Sequence, residues 1–356
     1  MRYAIFLLAL ILAAAAPAAA QPQWPSDESL PGKDDWIQIE SGEWLKGKLL
    51  AMYDDDLEFD SDEFGVKTYD WKDVKQVRTA RTMTVGLTGG EAVVGKLALA
   101  GETVRIFGDE RREVQRSQVL SISPSGGKPL SRWGGKISAG LTARKGNVDQ
   151  LDTNVSAYLK HRRVHDLLAL DYLANYSANQ GSGTANNQRV QGHWDHFITD
   201  RVFVKPVILE WYRDPFQNLD ARASAGAAAG YRIFNTRRTE WQVSAGLAYQ
   251  QTRWVAVEAG QDARQSAGAF AASTSFEQEW TKAVDFKFDY TFYLTQESAG
   301  RYIHHLLVSV ETDWTKNLDL DVSVSWDRTQ IPRATPGGAV PDQDDLRLVV
   351  GLGFKF

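Results

Sequence analysis

The sequence predicts an all-β protein: an antiparallel transmembrane β-barrel of about 12 strands, preceded by two small β-barrel repeats. Three observations carry this. Residues 346–356 place Leu346, Leu348, Val350, Leu352, Phe354 and Phe356 on one face, and Arg347, Val349, Gly351, Gly353 and Lys355 on the other. Side chains alternate between the faces of a strand, so one side here is wholly apolar and the other is mostly polar or tiny. Stretches of strand length with the same alternation recur from residue 132 onward, joined by links that are short and long in turn. Beyond residue 20, no apolar run reaches the ~18 residues a membrane helix needs. A chain of this kind enters a membrane only as a closed barrel, which satisfies every backbone polar group without water.

The start reads as a secretory signal peptide, residues 1–20. Arg2 gives the positive n-region, residues 5–16 the apolar core, and Ala18-Ala19-Ala20 the small-residue cleavage pattern, so the mature chain begins at Gln21. Residues 21–35, with Pro22, Pro25, Pro31 and Gly32, form an extended lead-in. The absence of cysteine removes disulfides, thiolate catalysis and cysteine-ligated metals together. A net charge of -5 with no basic stripe argues against nucleic acid as a partner.

Residues 36–80 and 81–124 are two copies of one pattern. Ile37 and Ile39 correspond to Val85 and Leu87, Gly42-Glu43 to Gly90-Glu91, and Gly47-Lys48-Leu49 to Gly95-Lys96-Leu97. The period is about 45 residues. Ser41-Gly42 and Gly89-Gly90 mark hairpin turns. Each copy is expected to be a small SH3-like or Sm-like barrel, a fold that binds or packs more often than it catalyses. Residues 90–97 nearly match a phosphate-binding loop, but Leu97 stands where the magnesium-binding Ser or Thr must be. The acidic run Asp54, Asp55, Asp56, Glu58, Asp60, Asp62, Glu63 lacks the glycine and terminal glutamate spacing of a calcium loop, and reads as a solvated hairpin rim. Residues 125–131, with Ser125, Gly126, Gly127 and Pro129, are the linker.

Residues 132–356 supply the barrel. Leu318, Leu320, Val322, Val324 and Trp326 oppose Asp319, Asp321, Ser323, Ser325 and Asp327; Val284, Phe286, Phe288, Tyr290 and Phe292 oppose Asp285, Lys287, Asp289, Thr291 and Tyr293. Links near 163–166, 199–201, 235–238, 281–283 and 316–317 are short. Those at 144–150, 180–187, 214–219, 254–262, 296–300 and 332–344 are longer. Tight turns on one side and longer loops on the other give this rhythm, and an even strand number closes the ring. Trp133, Trp194, Trp211, Tyr231, Trp241, Trp280, Trp314, Trp326 and Phe356 fall near strand ends, where lipid meets water. Pro206 points to a bulge within residues 202–212, and the Ala/Gly-rich residues 221–233 give a thin lipid face.

Several of these residues carry a resemblance: Gly140 with Lys145-Gly146-Asn147, Asn186-Asn187, Thr199-Asp200-Arg201, Gly226 with Gly230-Tyr231, and above all residues 212–220, Tyr-Arg-Asp-Pro-Phe-Gln-Asn-Leu-Asp. In these, the segment from Trp133 to Phe356 resembles the DUF481 family, the YdiY-like salt-induced outer-membrane proteins. The resemblance implies a Gram-negative outer-membrane barrel and brings no activity or catalytic residue. The doubled front part lies outside it.

The inward groups expected from the alternation are Lys136, Asp152, Lys160, Asp171, Arg189, Asp195, Arg222, Arg232, Glu240, Asp285, Lys287, Asp289, Glu311, Asp319, Asp321, Asp327, Arg347 and Lys355. Barrels near this size lie between filled eight-stranded ones and open porins, so the lumen is either a narrow pore or a plug of charges paired across the interior. The expected function is non-enzymatic: an outer-membrane barrel serving as a narrow channel or structural envelope protein, with its small modules in the periplasm binding a further envelope component. Its other partners are outer-membrane lipid and the barrel assembly machinery, which reads the terminal Leu348, Val350, Leu352, Phe354 and Phe356. No catalytic, cofactor or metal residue is expected. One alternative is a lipid-acting hydrolase, which needs a nucleophile within reach of a base. His305 and Ser309 share a face but lie ~13 Å apart along a strand, and His193 and His196 face opposite ways. Another is a soluble secreted β-protein whose apolar faces meet across a dry interior.

Overall fold

The computed structural model describes residues 32–53, 55–88, 90–126, 133–144, 150–236, 238–281, 283–315 and 317–356. The signal peptide, most of the lead-in, most of the linker and the loop after the first barrel strand lie outside the described residues.

The front part has β1 (Asp35–Ile39), β2 (Trp44–Tyr53), β3 (Asp56–Ser61), β4 (Gly65–Asp70) and β5 (Val74–Arg78) from the first copy. The second copy gives β6 (Met83–Leu87), β7 (Ala92–Ala100), β8 (Thr103–Phe107), β9 (Arg111–Gln115) and β10 (Val119–Pro124). The copies match strand for strand, but they do not close separately. Pairing runs β1-β5-β7-β6-β10-β2 and returns to β1, a single six-stranded ring with the β3–β4 and β8–β9 hairpins outside it. The last strand of each copy pairs with the second strand of the other, β5 with β7 and β10 with β2. The expectation of one barrel per copy is corrected accordingly. The reason is burial: a unit of ~45 residues covers too little apolar surface to hold itself together. Pooled, Ile37, Leu49, Met52 and Phe59 share one solvent-free core with Met83, Val85, Leu97 and Ile106. Buried Asp35 ties the ring, accepting from Leu49 N at 2.9 Å and Ala80 N at 2.8 Å and pairing with Arg81 at 2.8 Å. The phosphate-loop look-alike is the β6–β7 hairpin, and its Leu97 belongs to this core.

The second part is a closed ring of twelve antiparallel strands. They are β11 (Trp133–Arg144), β12 (Gln150–Arg162), β13 (Asp166–Asn179), β14 (Ser182–Phe197), β15 (Val202–Asp214), β16 (Leu219–Thr236), β17 (Thr239–Trp254), β18 (Arg264–Thr281), β19 (Val284–Leu294), β20 (Tyr302–Asp313), β21 (Leu318–Thr329) and β22 (Asp344–Lys355). One link differs from expectation. Residues 180–187 are not a loop: Gln180 and Gly181, both at positive φ, make a two-residue turn, and the rest is ladder. The polar run that looked like a loop is strand, and Asn187 closes a cross-strand amide chain with Asn175 (2.8 Å) and Asn154 (2.6 Å). Pro206 sits in the expected bulge, where the β15–β16 register shifts between Lys205 and Ile208.

The outside of the ring is apolar and the inside polar. Leu141, Leu247 and Leu346 are 70%, 73% and 70% exposed, whereas Asp195 and Asp319 are fully buried. A soluble β-protein does the reverse, and hydrocarbon is the solvent that fits this surface. No helix among the described residues is long and apolar enough to cross a membrane. Exposed Trp133, Tyr231, Trp280, Trp314 and Phe356 belt the short-turn rim. Closure is between β11 and β22, where Gly135 and Phe356 exchange both backbone hydrogen bonds (3.2 and 3.0 Å). Gly135 admits the Phe356 ring; a Cβ there would lie 2.6 Å from it.

The small barrel rests on the short-turn rim. Ser121 Oγ donates to Val164 O (2.8 Å), His165 Nε2 to Glu91 O (3.1 Å), and Asn235 Nδ2 to Asp55 Oδ2 (3.2 Å). Burial pushes the His165 imidazole below its usual value, so the docked state holds it neutral. An undocked His165 binds a proton more readily. Docking is therefore at full strength above about pH 6.5 and weakens as pH falls through that value. Protease cleavage between the two barrels should rise on acidification and do so less in His165→Gln. Cleavage that ignores pH would remove His165 from the docking energy.

Candidate functional site: the barrel lumen

Register partners across an antiparallel pair share a face, so the pairings define which rows look inward. All eighteen charges expected in the lumen stand on such rows. β15 also places Lys205, Glu210, Tyr212 and Asp214 inside, and other strands add Glu277, Glu279, His305, Asp313 and Asp345.

From the short-turn end, the first layer is aromatic. Phe197 and Phe203 pack at 6.0 Å, and the guanidinium groups of Arg162 and Arg232 lie 4.2 and 4.1 Å from the Phe197 ring centre. Gly230 makes the room: a Cβ there would lie 2.2 Å from the Phe203 ring. Beside it, Lys205 pairs with buried Asp195 at 3.3 Å.

The next layer is a charge cluster. Lys136 Nζ lies 3.2, 3.0 and 2.5 Å from Glu311, Asp319 and Asp321. Lys287 also reaches Glu311 (3.2 Å), and Lys355 reaches Asp319 (3.2 Å) and Asp313 (2.7 Å). Ligand atoms of Glu311, Asp319 and Asp321 lie within 4.8 Å of one another, a spacing a metal ion accepts. The lysine ammonium takes the cation position there. The sequence reading missed this grouping because it joins β20 and β21 with β11 through barrel closure.

Above it opens a chamber of about 470 Å³, lined by Ser156, Gln191, Ser244, Ser273, Ser275, Thr291 and the carboxylates of Asp171 and Asp289. The chamber ends at a layer that crosses the lumen. Arg189 on β14 pairs with Asp327 on β21, five strands away by the shorter way round. Arg189 also pairs with Glu210 (2.9 Å) and lies 4.2 Å over the Tyr212 ring, while His305 reaches Asp327 at 2.9 Å. One step further out, Arg347 on β22 reaches Asp214 on β15 at 3.9 Å.

The distinctive 212–220 stretch builds the outer rim. Asp214 accepts from Phe216 N, and Asn218, at φ 58°, bonds to both the backbone N and O of Ala256 and to the carbonyls of Arg333 and Ala334. One asparagine thus knits three outer loops together.

The charges are uneven around the ring. Among the described residues, inward rows of β17–β21 carry Glu240, Glu277, Glu279, Asp285, Asp289, Glu311, Asp313, Asp319, Asp321 and Asp327 against one lysine, Lys287. The β11–β16 wall balances Lys136, Lys160, Arg162, Arg189, Lys205, Arg222 and Arg232 against Asp152, Asp171, Asp195, Glu210 and Asp214.

Comparison with known proteins adds the following. The NanC porin shares 8% identity at a TM-score of 0.36, over 62% of this chain and 96% of that one. The β domain of the Bordetella autotransporter BrkA shares 12% at 0.33, over 63% and 98%. The outer-membrane channel DcaP of Acinetobacter baumannii shares 12% at 0.28, over 91% and 93%. Likenesses this distant carry no functional argument. No curated protein matches the chain. The family model described as "Protein of unknown function, DUF481" matches residues 137–356, which is the whole twelve-stranded ring but for its first four residues, and the chain belongs to that family.

Proposed function

We propose an outer-membrane barrel that is closed at rest: an envelope protein whose narrow passage is held shut by its own side chains, with the six-stranded barrel on its periplasmic mouth. The observation that carries this is the Arg189–Asp327 pair, which joins opposite walls of the ring above the chamber. The side assignment follows from the rim the small barrel touches, since barrels of this kind keep short turns in the periplasm. The apolar outer face of β22, Leu348 to Phe354, is what the assembly machinery would read. The free edges of β4 and β9 are where a further envelope component would add a strand.

The hydrolase alternative has His–carboxylate pairs in its favour, His305 with Asp327 and His196 with Asp166, both at 2.9 Å. Asp327 is shared with Arg189, and a hydrolase built on the His305 pair would need a hydroxyl nucleophile within reach of His305. The test is cell fractionation followed by planar-bilayer recording of the purified protein. Outer-membrane recovery with silent traces is the expected result; steady open channels in the unaltered protein would contradict the closed reading.

A further inference from the structure

The chamber holds two carboxylates that no ion pair reaches among the described residues. Asp171 on β13 and Asp289 on β19 both line it, and six strands separate them round a ring of twelve, so they stand on opposite walls. Three of the four lysines that line the chamber are engaged elsewhere, and the fourth, Lys160, has no carboxylate at ion-pair distance among the described residues. Lys136 serves Glu311, Asp319 and Asp321; Lys287 serves Glu277 and Glu311; Lys205 serves Asp195. Asp289 also belongs to the strongly acidic β17–β21 wall. Its register partner is Ser275, and Ser273 and Thr291 pair in the next inward row, so hydroxyl oxygens surround the carboxylate.

We infer that the chamber is a cation site and that the passage, when open, selects small cations of the alkali or ammonium type over anions. A lumen with one dominant sign of charge between low-dielectric walls concentrates counter-ions, and oxygen-rich walls replace part of a cation's hydration shell. The cluster at Lys136 shows the same preference internally, since three carboxylates there enclose an ammonium group. An anion would meet the acidic wall, and of the lining lysines Lys136, Lys205 and Lys287 are already paired, while Lys160 stands without an ion pair among the described residues.

This inference rests on the lumen being the functional space, so its test has two arms. The first is the reversal potential of Arg189→Ser/Asp327→Ser, which removes one charge of each sign and leaves the net lumen charge unchanged. Under a KCl gradient, potassium should pass several-fold more readily than chloride, and adding Asp171→Asn/Asp289→Asn should bring the ratio toward one. Chloride preference, or a ratio unmoved by the two substitutions, overturns the cation site. If that variant carries no current, the Arg189–Asp327 pair is not what closes the passage, and the second arm decides the cation site. Thermal melting of the same variant is followed with 1,4-diaminobutane or with succinate at equal ionic strength. Stabilisation by the diamine alone, lost with Asp171→Asn/Asp289→Asn, supports the site. Equal effects of the two compounds, or an effect that survives the substitutions, overturn it.

Discussion

Replacing Arg189 and Asp327 together by serine turns a silent barrel into a conducting one. The two side chains meet across the lumen, and no other ion pair described at this level spans it at contact distance; Asp214 and Arg347, one step outward, stand at 3.9 Å. Both must go. Removing Arg189 alone leaves Glu210 and Asp327 as buried carboxylates without their cation, a change that costs about 3–5 kcal/mol and confounds gating with unfolding. In the double variant Glu210 keeps the Gln191 amide at 2.8 Å, and Arg222 lies on the adjacent strand. The folded barrel should survive, as judged by unchanged heat-modifiable migration in SDS gels, while planar bilayers show steps the unaltered protein lacks. A folded but silent double variant would move the closure to the Phe197–Phe203 layer or to the knitted outer loops.

The wall of this barrel was legible in the sequence because a membrane imposes a rule with period two. Outer positions must be apolar, so every charge on the other phase had to look inward, and Lys136, Arg189 and Asp327 were placed by parity alone. Parity fails where the backbone slips. The bulge at Pro206 shifts the phase of β15, and Lys205, Glu210 and Tyr212 were missed although the proline announced the slip. Composition misled at residues 182–187, where Asn and Gly signal a loop but Asn187 pairs side chain to side chain with Asn175 inside the ring. Two features are invisible to any local reading. The pooling of both repeats into one six-stranded ring depends on which copy a strand pairs with, and similar strands offer the same edge to either. Contacts across the lumen depend on the curvature of the closed ring, which sets Arg189 beside Asp327 despite a sequence separation of 138.

Lys136→Met should be the most destabilising single substitution in the barrel. Methionine keeps the length of the chain and removes the ammonium that lies within 3.2 Å of three carboxylates, of which Glu311 and Asp319 are buried. Breaking a buried pair this way costs about 3–5 kcal/mol, because the acids lose their counter-charge and stay out of water. The losses are unequal. Glu311 retains Lys287 at 3.2 Å and Asp319 retains Lys355 at 3.2 Å, whereas Asp321 is left with the Ser138 hydroxyl at 2.5 Å. Lys136→Met/Asp321→Asn should therefore recover most of the stability, measured as the temperature at which the barrel loses its folded migration. Millimolar calcium should also raise that temperature in Lys136→Met and not in the unaltered protein, since the vacated position is bounded by three carboxylate oxygens within 4.8 Å of one another. A Lys136→Met barrel as stable as the parent would mean that these acids do not carry the charge assigned to them. The acidic wall, and the cation preference built on it, would then lose its strongest physical support.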